Sequence, residues 1–192
     1  KRFMYEESYR MPMLMQLPEK IKSGTTSDAL LMNLDFAPTM LTFAGLPIPT
    51  DMQGKSFQNI ATSGKGKLRD AAYYHYFEFP GVHAVKRHYG IRTDRYKLIH
   101  YYHDVDEWEL FDLENDPQEM TNIYAAESSK GIIEKIKKEL QQMQEEYQDT
   151  PDNFTIFSAS QLDQISSGFK EAKHGIFSYY LMKGLEGMAD SN

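Results

Sequence analysis

Three charged side chains lie close together at the start of this 192-residue chain: Lys1, Glu6 and Arg10. An ammonium group held in a fixed position can offset the negative charge that develops on the oxygens of a group being transferred. An arginine on the same segment could contact the substrate. The simpler interpretations are a solvated terminal lysine and a Glu6–Arg10 ion pair that holds a loop. The residue types alone leave these alternatives open.

A loop histidine is the second candidate for a substrate contact. His83 follows two turn residues, Pro80 and Gly81, and binding groups concentrate on loops. His88 lies five residues further on, so on a strand the two side chains would point to opposite faces, which argues against a shared ion. For each histidine, a hydrogen-bonded structural role is the commoner one. Three other histidines alternate with tyrosines and are predicted to lie on a sheet surface: His75, His100 and His103.

The composition of the chain excludes several kinds of site. It contains no cysteine, and therefore neither a disulfide nor a thiolate zinc site. No clustered Asp-x-Asp set offers the oxygen ligands of a hard cation, so no metal site is predicted. A net charge of −7, with basic residues interleaved among acids, argues weakly against binding to nucleic acid. No apolar stretch approaches the roughly 18 residues that span a bilayer, so no membrane partner is expected.

Residues 1–68 contain one predicted strand and one predicted helix. Met11–Leu17 is an apolar run between prolines and is interpreted as a buried strand. The helix has Asp35 as its N-cap, Pro38 in its first turn and Gly45 just after its end. These elements are too few to bury both faces of an α/β sheet. We therefore expect poor packing here unless a missing N-terminal half or a second copy covers this part.

The next part, residues 69–150, starts near the Gly- and Lys-rich stretch at 64–70. Between residues 71 and 113 the pattern alternates, which predicts a four-stranded antiparallel meander with one buried face. Residues 130–149 have apolar side chains at steps of three and four, which predicts an amphipathic helix. A helix packed on a four-stranded sheet forms an α+β unit. The strand candidates are Tyr73–Phe79, His88–Arg92, Tyr96–Tyr102 and Trp108–Phe111.

Several blocks in this order resemble type I sulfatases. The first block, in the pattern Lys-x3-Tyr-Glu-x3-Arg-x-Pro, runs from Lys1 to Pro12. Together the blocks extend over about 125 residues. The chain is thus similar to the C-terminal portion of an α/β enzyme of the alkaline-phosphatase-like fold, and we expect it to begin in the middle of a domain. The later blocks are Asp35-x-x-Pro38-Thr39, Ala44–Gly45, Gly54–Ser56, Gly90–Ile99 and Glu109–Asn122.

The resemblance implies hydrolysis of sulfate esters, with a sulfated sugar as the expected substrate. Lys1 would bind the sulfate group, and His83 and Arg10 are the candidates for further substrate contacts. The full-length family uses formylglycine and calcium, but its nucleophile and calcium ligands lie upstream of the matched blocks. The chain also has no Ser-x-Pro-x-Arg or Ser-x-Ala-x-Arg sequence. We therefore expect it to be inactive by itself. A periplasmic or secreted location is also implied.

The last part of the chain, residues 151–192, has a resemblance of its own. Two blocks, Ser158–Ser167 and His174–Asp190, are similar to the C-terminal piece of bacterial caspase-like cysteine peptidases. The chain has no cysteine nucleophile, so His174 is interpreted as the start of a packing helix. The alternative is a simple C-terminal extension of the sulfatase.

Two alternatives to a sulfatase portion remain open at this point. The chain could be a non-catalytic binding or assembly module, which the missing nucleophile and metal ligands favour. It could also be a fusion or remnant that carries a caspase-like fragment. A module of the first kind would bind its partner alone, whereas a sulfatase portion would need its upstream part.

Overall fold

A computed structural model describes residues 2–80, 84–148, 168–169 and 174–175. The helices of this described part are α1 (Glu6–Tyr9), α2 (Phe36–Phe43), α3 (Gln58–Ser63) and α4 (Lys130–Gln148). Its strands are β1 (Ala71–Tyr76), β2 (His88–Thr93), β3 (Tyr96–Tyr101), β4 (Glu107–Asp112), β5 (Gly168–Phe169) and β6 (His174–Gly175). Short 3-10 helices at Asn33–Asp35 and Glu127–Ser129 precede α2 and α4. None of the described helices is long and apolar enough to cross a membrane.

Strands β1 to β4 form an antiparallel sheet in sequence order. Ile91 of β2 lies opposite Leu98 of β3, which in turn lies opposite Leu110 of β4. Because side chains alternate along each strand, these three residues share one face of the sheet. The predicted four-stranded meander is therefore confirmed.

Helix α4 covers the face that carries Ile91, Leu98 and Leu110. Its Ile136 and Leu140 are buried against these three side chains. The apolar spacing of three and four residues places both on one side of the helix. The helix predicted over residues 130–149 is confirmed through Gln148.

The opposite face of the sheet is also buried, so the prediction of a single buried face was wrong. Ile99, Tyr101 and Phe111 point to this side, and Met4 packs among them with none of its surface exposed. Gly90 makes room for the crossing segment: a Cβ at this position would lie 2.7 Å from Met4 Sδ and 2.3 Å from the Leu98 carbonyl oxygen. The residues just before α1 therefore serve as the second layer on the sheet.

Helix α2 follows Asp35 and ends before Gly45, as its sequence predicts, and Pro38 lies in its first turn. The predicted capping role of the Asp35 side chain was wrong: it makes no cap bond to the helix and accepts the Met32 and Lys55 N–H groups instead. Gly45 adopts a left-handed φ of +72° after the helix. Its N–H donates to the Thr42 carbonyl at 3.1 Å, and the Leu46 N–H donates to the Leu41 carbonyl at 2.9 Å. This pair of bonds satisfies two carbonyls that the helix end leaves open.

Two other predictions about local structure were wrong. Met11–Leu17 forms no strand, and Leu14 is 99% exposed. A strand needs a neighbour for its backbone groups, and no described strand pairs with this run. The predicted helix does not begin at His174, because His174–Gly175 pairs with Gly168–Phe169 as a two-stranded sheet. The apolar run Phe154–Phe157 also predicts a short strand from the sequence, and it lies outside the described residues.

Apolar side chains are exposed mainly in the first part of the chain. Leu14, Met40 and Leu46 are each more than half exposed, whereas the residues that face α4 are buried. The large exposed apolar residues between positions 11 and 48 are Met11, Met13, Leu14, Leu34, Phe36, Met40, Leu46 and Ile48. They form a surface that the described part of the chain leaves uncovered.

Candidate functional site

A buried lysine anchors the N-terminal segment to the sheet. Lys97 points to the same face as Ile99 and has no exposed surface. Its Nζ lies 2.7 Å from Glu6 Oε1 and 2.7 Å from Glu119 Oε1, and it donates to the Met4 carbonyl oxygen at 2.6 Å. A buried charge is tolerated only when paired and hydrogen-bonded, and two carboxylates and a carbonyl meet this need.

The two carboxylates of this cluster bind more than Lys97. Glu119 Oε2 accepts the Glu6 backbone N–H at 2.6 Å, so that one carboxylate joins the main chain of the segment to Lys97. Arg92 lies 3.4 Å from the other oxygen of Glu6. Burial by itself would raise the pKa of Glu6, but the pairs with Lys97 and Arg92 outweigh it and hold this pKa below its usual value. Glu6 is therefore ionised in the folded protein at neutral pH.

The residues just before Glu6 are held as well. Tyr74 donates its hydroxyl to the Arg2 carbonyl oxygen at 3.0 Å, and the Arg2 side chain lies 3.4 Å from Glu78. Tyr5 donates to Glu109 at 2.9 Å, and burial raises the pKa of Tyr5 to about 12, so its phenol keeps its proton. Each of these contacts joins the segment to a different strand or strand end. Residues 2–6 therefore have a defined path across the sheet.

Of the three predicted site residues, the structure describes only Arg10. Lys1 and His83 lie outside the described residues. Arg10 follows α1, is exposed and lines a groove of about 1690 Å³. The expected Glu6–Arg10 ion pair was wrong: the turn of α1 bonds only their main chains, and Glu6 pairs with Lys97 and Arg92 instead. The Arg10 side chain is thus not used to hold Glu6.

The groove is lined by residues 8–14, by residues 27–34 and by parts of β1 and β2, among others. Tyr9, Arg10, Arg92, Leu30 and Phe36 are among the lining residues. It is mixed in character, with charged groups beside apolar ones. Such a surface could accept either a substrate with anionic groups or further polypeptide.

The β1–β2 and β3–β4 connections contact each other, and in the sequence His83 belongs to the first of them. Phe79 and Lys86 belong to the β1–β2 connection, and Lys86 Nζ lies 4.2 Å from the centre of the Phe79 ring. Lys86 also forms an ion pair with Asp104 in the β3–β4 connection. The ring of His103, beside Asp104, meets Phe79 edge-on at 6.2 Å. Described residues on both sides of His83 are therefore tied to a neighbouring loop.

The histidines of the sheet have structural partners. His88 has no exposed surface, and its Nδ1 lies 2.8 Å from the Lys86 carbonyl oxygen. His75 lies between two phenols, 2.9 Å from Tyr73 and 2.8 Å from Tyr102, and burial lowers its pKa to about 4. The prediction that His75 lies on the sheet surface was wrong, because neighbouring aromatic rings cover it.

His100 and His103 differ in how far they are covered. His100 was likewise misplaced on the surface: it stacks on Trp108 at 4.0 Å and bonds to the hydroxyl of Tyr89 at 2.8 Å. His103 is exposed, but it lies in the β3–β4 connection and not on the sheet as predicted. Its position beside the Phe79 ring places it at the same strand connections as Lys86.

The residues that the structure describes do not fit a calcium site. No group of three or more His, Asp or Glu side chains among them could hold a metal ion. The buried carboxylate of Asp35 is already bound by Arg69 at 2.5 and 2.6 Å and by the Met32 and Lys55 N–H groups at 2.7 and 3.0 Å.

Sequence reasoning missed Lys97 and Glu119 as members of the site. Lys97 stands in β3 between Tyr96 and Leu98, where the alternation alone does not show that its face is covered. The signal in the sequence is its spacing. Lys97 lies two residues before Ile99 on an apolar strand, so the two side chains point to the same face of the sheet. For Glu119 the sequence offers no such signal, because one partner, Glu6, lies 113 residues earlier in the chain and the other, Lys97, lies on a strand whose second face is covered only in the folded protein.

Among known proteins, this chain is similar in sequence to sulfatases. An N-acetylglucosamine-6-O-sulfatase of Bacteroides thetaiotaomicron is 53% identical over 152 residues, which are 77% of this chain and 26% of that protein. Arylsulfatase K of Rattus norvegicus is 34% identical over 128 residues, 64% of this chain and 23% of that protein. The chain thus spans about a quarter of the length of these curated relatives.

Solved structures are similar to this chain in fold as well. A protein in complex with its substrate D-glucosamine-2-N,6-O-disulfate has a TM-score of 0.73 and 47% identity, over 80% of this chain and 32% of that one. A 2-O GAG sulfatase, 21% identical over 65% of this chain and 27% of that one, has a TM-score of 0.51 and shows the fold alone. The structural neighbours are alkaline-phosphatase-like sulfatases, which confirms the predicted fold class.

The family match covers the described part of the chain. It extends over residues 1–146, whereas the caspase-like resemblance of residues 151–192 finds no support in the comparisons. The aligned region includes the segment that Lys97 holds, the four-stranded sheet and nearly all of α4. The chain therefore belongs to the family of N-sulphoglucosamine sulphohydrolase C-terminal regions.

Proposed function

We propose that this chain is the C-terminal portion of a sulfatase that hydrolyses sulfate esters of sulfated sugars, with 6-O-sulfated glucosamine as the preferred substrate. The relative with 53% identity is an N-acetylglucosamine-6-O-sulfatase, and the structure with 47% identity holds a glucosamine sulfated at the 2-N and 6-O positions. Both relatives point to the same class of sugar. Because this chain spans only about a quarter of the first relative, the activity belongs to a longer protein.

The observation that carries this proposal is the defined path of residues 2–6 across the sheet. Lys1 is the next residue in the sequence, directly before Arg2, whose carbonyl and side chain are both bonded. An ammonium group in a fixed place offsets charge on the sulfuryl oxygens as the ester bond breaks. Lys1 is the proposed sulfate contact, and the sheet supplies the support it needs.

Arg10 and His83 are the proposed contacts to the rest of the substrate. Arg10 is exposed at the groove, and its guanidinium can form paired hydrogen bonds to an anionic group. In the sequence His83 belongs to the β1–β2 connection, whose Lys86 is paired with Asp104 of the β3–β4 connection. The two residues would contact different parts of a sugar that carries more than one sulfate.

The upstream part of the longer protein has two proposed tasks. It supplies the formylglycine nucleophile and the calcium ligands, for which the described residues offer no site. It also covers the exposed apolar side chains between residues 11 and 48, since exposed apolar groups gathered in one part of a chain are typical of an interface. By family resemblance we place the protein in the periplasm or outside the cell.

The proposal is tested by assaying the longer protein on glucosamine 6-O-sulfate, with glucosamine 2-N-sulfate as the competing substrate. We expect release of sulfate from the first, and none from the 192-residue chain alone. Lys1→Met should lower kcat by about 10²–10³-fold, the usual effect of removing one transition-state charge contact. Lys22→Met, at an exposed lysine, is the matched control and should leave kcat unchanged. A longer protein that hydrolyses neither sugar sulfate would contradict the proposal.

A second candidate function is a non-catalytic binding module. The absence of cysteine and of a metal-ligand cluster among the described residues favours it for the chain in isolation. The two functions predict different binding of sulfated glucosamine by the isolated chain. Calorimetric titration of the 192-residue chain with sulfated glucosamine should give no heat if the chain is a sulfatase portion. Binding by the isolated chain would favour the module.

A further inference from the structure

We propose that Lys97 is a positioning residue, which fixes the main chain of residues 4–6, the segment that follows the proposed sulfate contact in the sequence. The inference rests on the proposed function, because the position of this segment matters for catalysis only if Lys1 binds the sulfate group. It concerns a residue on the middle of the sheet, far from Lys1 in the sequence.

The ammonium group of Lys97 is occupied by its neighbours. It donates a hydrogen bond to the Met4 carbonyl oxygen and forms ion pairs with Glu6 Oε1 and Glu119 Oε1, each at 2.7 Å. Two of these three partners belong to the N-terminal segment. The side chain is fully buried, so it does not reach a substrate. Lys97 can therefore act on the substrate only through the segment that it holds.

The backbone near this cluster adopts conformations that ordinary residues avoid. Glu119 has a φ of +56° and Arg2 a φ of +85°, both in the left-handed region although neither is a glycine. Such residues persist only where the surrounding structure fixes them. Glu119 is fixed by Lys97 and by the Glu6 N–H, and Arg2 by Tyr74 and Glu78. The segment is thus held at both ends of residues 2–6, immediately after Lys1.

The charges of the cluster balance when Arg92 is included. Lys97 and Arg92 are positive, Glu6 and Glu119 are negative, and all four are at most slightly exposed. A single Lys97→Met change would leave two carboxylates sharing one buried space and could unfold the protein. The double change Lys97→Met and Glu119→Gln keeps the balance through the Glu6–Arg92 pair. The amide oxygen of the new glutamine can still accept the Glu6 N–H, so this variant removes the Lys97–Glu119 ion pair while keeping that bond.

The experiment compares this double variant with the wild type in two measurements. The first is amide hydrogen exchange of residues 3–6 in the 192-residue chain, where we expect about tenfold faster exchange. The second is sulfate release from glucosamine 6-O-sulfate by the longer protein. A misplaced catalytic group can cost about 10²-fold; we expect kcat, corrected for the folded fraction, to fall by at least tenfold while KM changes much less.

The matched control is Lys137→Met on α4. Lys137 is another lysine packed on the sheet, 3.8 Å from the Trp108 ring centre and 2.7 Å from the Tyr124 hydroxyl, but on the opposite face. It should lower the melting temperature without changing kcat or the exchange of residues 3–6. If the double variant keeps wild-type kcat and wild-type exchange, the positioning role is overturned. If the wild-type longer protein shows no sulfatase activity, the proposed function fails, and the exchange result still decides whether Lys97 holds the segment.

Discussion

Asp35 and Arg69 form a two-pronged ion pair that joins the start of α2 to the residues before β1. Arg69 Nη1 lies 2.5 Å from Asp35 Oδ2, and Nη2 lies 2.6 Å from Oδ1. The Asp35 carboxylate is fully buried, and the Arg69 side chain is 11% exposed. Arg69 also donates to the Leu30 carbonyl oxygen at 3.2 Å. The pair therefore connects the part of the chain before residue 69 to the sheet that follows.

Removal of Arg69 should destabilise the chain strongly. Arg69→Met would leave the Asp35 carboxylate buried without its cation, a change that typically costs about 3–5 kcal/mol. Burial by itself raises the pKa of Asp35, but Arg69 and the N–H groups of Lys55 and Met32 more than offset this, so the pKa lies below its usual value. We expect a lower urea midpoint at pH 7. Equal midpoints for the variant and the wild type would contradict this assignment.

The close approach at Gly90 predicts a specific cost of adding one methyl group. Gly90→Ala would place its Cβ 2.3 Å from the Leu98 carbonyl oxygen and 2.7 Å from Met4 Sδ, so the backbone or the N-terminal segment must move. Overpacking of this kind costs about 1–3 kcal/mol. The matched control is Gly131→Ala in α4, where nothing lies within 4 Å, and it should stabilise by about 0.4–1 kcal/mol. Melting curves that rank the two variants in the opposite order would refute the prediction.

The histidine between two phenols predicts a pH dependence of stability. Burial lowers the pKa of His75 from 6.5 to about 4 in the folded protein, while the unfolded chain keeps the ordinary value. Between these values the unfolded state binds more protons, so the free energy of unfolding should rise as the pH increases from 4 to 6.5. Above pH 6.5 this contribution is complete and constant.

Urea unfolding at several pH values tests the assignment to His75. His75→Gln keeps hydrogen-bonding groups between the phenols but cannot titrate, so its unfolding free energy should vary less between pH 4 and 6.5. Part of the slope should remain, because burial also lowers the pKa of His88. An unchanged slope in His75→Gln would show that other groups carry the dependence.

The exposed apolar surface predicts different effects in the chain and in the longer protein. Leu14 and Met40 are 99% and 58% exposed, so Leu14→Gln and Met40→Gln should change the stability of the 192-residue chain by no more than about 0.5 kcal/mol. In the longer protein the same changes should lower the melting temperature, because upstream polypeptide covers these side chains in the proposed function. Equal effects in both proteins would argue that the surface remains uncovered.

The sequence by itself determined the elements whose signals are local. The alternation from residue 71 to 113 predicted the four strands, and the spacing in α4 predicted its buried side. Gly45 marked the end of α2 because the left-handed turn there favours glycine. Each of these signals arises from near neighbours in the chain, and such signals can be found without knowing what packs where.

Only the tertiary structure decided which segments meet. Lys97 binds Glu6 and Met4 from more than ninety residues away, and nothing in the alternation of β3 shows that its second face is covered. Met11–Leu17 has the composition of a strand but no described partner, and a strand forms only when its backbone groups are paired. The physical reason is the same in both cases: burial and pairing depend on a distant part of the polypeptide, while helix ends and strand alternation depend on adjacent residues.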